Sequence, residues 1–126
     1  MNTAHGESVI SVTGNVITVK VKGVFNKEGV CELNDELRLI ISSYNVDGFK
    51  MLFNYLEVEG ATPDAYDQID NFNVWLNNQN MIAKAVVIIS PAVLNILNSR
   101  APARKSKNMN SFSSTIKAIQ WLDTQS

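Results

Sequence analysis

The side chains best suited to chemistry gather between positions 57 and 67. Glu57 and Glu59 fall on one face of a strand-like run, and Asp64 and Asp67 stand three apart on a helical one. Paired carboxylates of this kind do acid–base work or hold a hard metal ion. Their usual companions are missing. The chain has one histidine, His5, and one cysteine, Cys31. One of each cannot build a zinc cluster, and a lone cysteine cannot close an intramolecular disulfide. A Ser–His–acid triad lacks an ordered base, and Cys31 lacks the neighbour that would activate its thiol. The carboxylates therefore read first as a solvated acidic loop with Asp64 in a helix's first turn, and second as the centre of a small hydrolase-like enzyme. No catalytic residue, metal or cofactor is assigned.

Three further groups could bind rather than react. Asn26, Thr62, Ser90 and Ser111 (or Ser113) each precede a helical pattern. With parallel strands these helix starts face one end of a sheet, where free N–H groups and partial positive charge suit a small anionic ligand. The plainer explanation is that they are helix caps. Arg100, Arg104, Lys105 and Lys107 put four positive charges into eight residues. Such a loop could dock an acidic protein surface, a phosphate-rich ligand or anionic lipid, or simply be solvated. It should lie on the opposite edge from the caps. Its lack of interleaved aromatics serves base stacking poorly. Tyr66, Trp75 and Trp121 flank core stripes and could form a homodimer or partner surface, with Arg104 and Lys105 as its charged part.

These groups must be positioned by one domain. The chain has 126 residues, 45% hydrophobic and 18% charged, with a formal net charge of -1. That length builds a single core, here spanning 1–126 with residues 1–7 as a flexible lead-in. A nucleic-acid-binding domain would carry a clear positive excess; a transmembrane segment would need a far longer apolar run. The first residues lack a secretory pattern, which points to the cytoplasm. Low net charge gives little repulsion between copies, consistent with a homodimer.

Hydrophobic spacing supplies the elements. Val19 and Val21 alternate with Lys20 and Lys22, the pattern of a half-exposed strand. Gly14-Asn15 makes a hairpin turn between strands over 8–13 and 16–22. Val30, Leu33, Leu37, Ile40 and Ile41 recur at helical spacing behind Asn26, although Gly29 weakens that helix by about 1 kcal/mol relative to alanine. The apolar runs 49–56 and 81–89 predict buried strands. Thr62-Pro63 and Ser90-Pro91 each supply a cap followed by a proline suited to the first helical turn. A short edge strand is predicted around 106–109, before a last helix carrying Phe112, Ile116, Ile119 and Leu122. The expected fold is mixed α/β: a sheet of four or five strands with an N-terminal hairpin, flanked by four helices.

This order, with the Ala-Val-Val strand at 85–87, Phe112, and the ending Ala118-Ile119-Gln120-Trp121-Leu122, resembles the SpoIIAA-like branch of the STAS superfamily over residues 9–123. The resemblance implies a small cytoplasmic domain that binds a partner kinase or anti-sigma protein. It further implies a switch serine at the start of the helix after the central strand, in an Asp-Ser-Ser-Gly-like motif. The matching region runs Glu57-Val58-Glu59-Gly60-Ala61-Thr62-Pro63-Asp64. It lacks the serine pair; Thr62 is its one hydroxyl and the candidate phosphorylation site. The functional expectation is a non-enzymatic binding or regulatory domain that recognises a protein or small ligand. The alternatives are the carboxylate enzyme and a carrier of hydrophobic ligands.

Overall fold

The computed structural model describes residues 3–126. Glu7–Thr13 forms β1 and Val16–Phe25 forms β2, paired antiparallel. Gly14 turns the hairpin with φ +61, the positive region that tight hairpin turns require. Val19 and Val21 are buried while Lys20 and Lys22 face solvent, as the alternation predicts. The lead-in differs from the expected flexible segment. Glu7 already pairs with Lys22, and the His5 N–H donates to Asn26 Oδ1 at 2.8 Å. Asn26 Nδ2 in turn donates to the Thr3 carbonyl at 2.7 Å. The same asparagine that caps the first helix thus ties down the chain before β1. Residues 1 and 2 lie outside the described residues.

Lys27–Tyr44 forms α1, burying Val30, Leu37 and Ile41. Phe49–Ala61 forms β3, five residues longer than the predicted 49–56. Its extension keeps its ladder to β2 as far as Phe25↔Ala61, through two irregularities in register. Gly23 and Gly60, at φ +85 and +151, lie in this stretch, where glycine accommodates the backbone of a bulge. The expected acidic loop is therefore largely strand. Pro63–Leu76 forms α2, Met81–Val87 forms β4 and Pro91–Arg100 forms α3. A 3-10 turn at Pro102–Arg104 leads to β5, Met109–Phe112, and then to α4, Thr115–Asp123.

The five strands lie in the order β1-β2-β3-β4-β5, with every pair beyond the hairpin parallel. Helices α1 and α2 cover one face over Ile17, Val19, Phe49, Met51 and Phe53. On that face α3 packs Leu97 with Tyr66, Val86 and Ile88. On the other face α4 places Ala118 and Leu122 on Leu52, Ala83, Ala85 and Val87; the two alanines let a helix approach the strand closely. The architecture is the expected mixed α/β sheet with four helices. Among the described residues no helix is long and apolar enough to cross a membrane.

Candidate functional site

Parallel β2, β3 and β4 end at one edge of the sheet, so Asn26, Thr62 and Ser90, which follow them, share that edge. Ser111 does not join them as a cap. It lies within β5, held extended by the Val86↔Ser111 and Val87↔Phe112 pairings. The helix starts only after that ladder ends, and its cap is Ser114, whose side chain accepts from the Lys117 N–H at 3.4 Å.

The remaining caps differ in how occupied they are. Asn26 Oδ1 accepts from both Gly29 and His5, so the N-terminal segment already uses the oxygen expected to meet a ligand. Ser90 Oγ accepts from the Val93 N–H at 3.3 Å. Thr62 makes no side-chain cap bond; its hydroxyl donates to Asp64 Oδ1 at 2.6 Å.

The basic residues separate. Arg100 reaches the capped edge, against expectation, because α3 ends beside the start of α2. Its Nη2 donates to the Pro63 carbonyl at 3.1 Å and lies 3.7 Å from Asp67 Oδ1. Arg104 is 3% exposed and belongs to the interior, not to a docking surface. Lys105 and Lys107 are exposed and line a groove with Asn77, Gln79 and Met81 at the opposite edge. The carboxylates separate as well. Glu57 pairs with Lys20 at 3.2 Å, Asp64 holds Thr62, and Asp67 faces Arg100. Among the described residues no three metal-ligating side chains converge. Nothing in this arrangement favours the hydrolase alternative.

The aromatic trio is also largely spoken for. Tyr66 is 6% exposed because α2 presses it onto Val86, Ile88 and Leu97. Arg38 lies 4.8 Å over the Trp75 ring, a cation–π contact that covers the indole. Trp121 packs on Phe112 with ring centres 5.7 Å apart. Tyr66 is thereby removed as a partner-binding residue; Trp75 and Trp121 are half-buried edges of the core. The apolar groups that do face solvent at the capped edge are Val24, 52% exposed, and Ile89, 63% exposed. The sequence carried a signal for Val24: it continues the outward-facing alternation of Lys20 and Lys22, and an apolar residue there has no core to enter.

A polar centre absent from the sequence reading lies beneath α3. Lys84, in β4, is 0% exposed, and its Nζ donates to Asn73 Oδ1 at 3.2 Å and to the Arg104 carbonyl. Burial, reinforced by the Arg104 charge, lowers its pKa to about 7. Burial raises the Tyr55 pKa, with the Arg104 charge acting against it. A separate cavity of about 70 Å³ on the same face is lined mainly by apolar side chains, Val21, Phe25, Leu37, Phe53 and Phe72 among them, and by neither Lys84 nor Arg104. A cavity of ~150 Å³ is what encloses benzene, so this space is too small for a carried lipid.

Neither a family model nor a curated protein matches the sequence. Solved structures do match its fold. An uncharacterised DUF3478-family protein with a SpoIIAA-like fold from Shewanella loihica is 13% identical, with TM-score 0.68 and 97% of each chain covered. An anti-sigma factor antagonist from Mycobacterium paratuberculosis is 12% identical, with TM-score 0.64 over 94% of this chain and 95% of that one. The anti-sigma factor antagonist SpoIIAA in its unphosphorylated form is 9% identical, with TM-score 0.60 over 97% and 99%. The fold is SpoIIAA-like, as the resemblance implied.

Proposed function

We propose that this chain is a non-enzymatic regulatory domain that binds a protein partner through the edge where β2, β3 and β4 end. The observation that carries the reading is the pairing of exposed apolar Val24 and Ile89 with the polar turn at Thr62. Exposed apolar groups beside polar ones are the composition of a recognition surface. The fold shared with two anti-sigma factor antagonists supports a protein rather than a small molecule as the partner.

Within this reading Thr62 is the control point. A phosphoryl group there would add about two negative charges beside Asp64, one residue before the carbonyl that Arg100 holds. Repulsion from Asp64 would disturb the start of α2 and with it the edge. Native mass spectrometry of the untagged protein, gently purified from its own cells, tests the reading. A second, different chain in the complex, lost on Val24→Asp with the fold intact, is the expected result. A complex made only of two copies of this chain assigns the edge to self-association instead. A bare monomer, with the edge unprotected from hydrogen exchange in cell extract, contradicts the proposal.

A further inference from the structure

The two lateral strands of the sheet are not alike. β5, at one side, is four residues long. β1, at the other, is seven. Its register with β2 runs from Glu7↔Lys22 to Thr13↔Val16 without a bulge, whereas the β2–β3 and β3–β4 ladders both carry irregularities. Beyond its ladder with β2, β1 makes no further backbone–backbone hydrogen bond among the described residues. Native proteins blunt an open strand with short length, lysine, proline or a bulge. The short β5 is blunted by its length. β1 has none of these devices: from Ser8 to Thr13 it carries neither a charge nor a proline. It also leaves Val9 66% and Val12 37% exposed, and Ile10 only partly covered at the rim of the main core.

We propose that β1 pairs antiparallel with β1 of a second copy of this chain, so that the sheet continues through both copies about a two-fold axis. The strand is complementary to itself. The register centred on Ile10 pairs all seven residues and sets Glu7, the one charged residue, opposite Thr13. Like charges directly opposite would oppose pairing, and here none meets another. Ile10, which shares its face with buried Val19, meets Ile10 of the second copy, so two partly covered core residues shelter each other. On the other face, shared with exposed Lys20, Val9 lies opposite Ser11. Closure also favours this pairing. β1 on β1 is an isologous contact that ends at two copies, whereas β1 on the β5 of another copy is heterologous and risks an open filament. The contact uses the side of the sheet, not the end where Thr62 and Ile89 lie, and stands or falls without the partner proposed there.

The test is sedimentation equilibrium of the full chain across the micromolar range, with amide hydrogen exchange alongside. The expected mass rises with concentration from one chain to two and no further, and the β1 amides slow over the same range. Val9→Glu with Ser11→Glu sets like charges opposite each other at two places across the axis. Both positions are exposed, and Val9 lies beside Lys20 within the chain, so the fold is not opposed. This variant should weaken the dimer about tenfold or more. Val9→Glu with Ser11→Lys sets opposite charges at the same two places and should restore it. A dimer held by β1 also survives Val24→Asp, which separates it from self-association through the end of the sheet. A monomer at every concentration, or a Val9→Glu, Ser11→Glu variant that associates as tightly as the wild type, overturns the proposal. So does a dimer that the Val9→Glu, Ser11→Lys variant fails to restore, or one that Val24→Asp abolishes. If a β1 variant does not fold, the wild-type exchange decides alone: β1 amides slowed by concentration uphold the pairing, and unchanged ones overturn it.

Discussion

The backbone carbonyl of His5 occupies the place where a side chain on Gly29 would begin. The chain before β1 crosses the first turn of α1 so closely that only glycine fits. By helix propensity alone, Gly29→Ala should stabilise α1 by about 1 kcal/mol. The contact reverses the sign, and the substitution is expected to cost about 1–3 kcal/mol. Chemical denaturation checks this. In a chain begun at Gly6, which lacks the His5 carbonyl, the same substitution should become neutral or stabilising.

The capping assignments predict a ranking. Ser90→Ala and Ser114→Ala each remove a side-chain bond to a helix N–H and should each cost about 1 kcal/mol. Ser111→Ala removes an exposed strand hydroxyl and should change stability by less than about 0.5 kcal/mol. Thermal unfolding of the three variants checks the order. If Ser111→Ala cost the most, the start of α4 would be misplaced.

Lys84 gives stability a pH dependence of known sign. Its folded pKa, about 7, lies below the ordinary 10.5, so between these values the unfolded chain holds a proton that the folded chain has released. The penalty is complete at and below about pH 7 and fades as pH rises toward 10.5. Wild-type stability relative to Lys84→Met should therefore improve with pH across that window, by about 1.4 kcal/mol per pH unit. Denaturant titrations of both proteins at several pH values check this; a difference independent of pH would mean that Lys84 stays charged when folded.

The sequence disclosed elements whose cause is local, and missed what arises between elements. The Val19–Lys22 alternation, the Thr62-Pro63 and Ser90-Pro91 starts and the apolar runs at 49 and 81 all became the expected strands and helices. The length of β3 was hidden because Glu57 and Glu59 belong to a strand only through the ladder with β2. The burial of Arg104 was hidden for a like reason. In sequence it sits in a run of charges, and only the 3-10 turn packed against α2 carries it under α3. Arg100, four residues earlier, ends up holding Pro63 because α3 closes on the start of α2. Of the site residues, Thr62 and Ser90 were legible as helix starts. Val24 fell outside the predicted strand over 16–22, and Ile89 was expected within the buried run 81–89, whereas β4 ends at Val87 and leaves Ile89 facing solvent.

The most direct test of the central claim is cross-linking mass spectrometry on complexes captured from the protein's own cells. It compares the wild type with a Val24→Asp, Ile89→Asp double variant whose fold is verified by circular dichroism. If this edge recognises a protein, the wild type should cross-link one partner through residues around 24, 62 and 89, and the double variant should lose that partner at least tenfold, about 1.4 kcal/mol of binding. Undiminished capture by the variant, or cross-links that map to the Lys105–Lys107 groove instead, would contradict it.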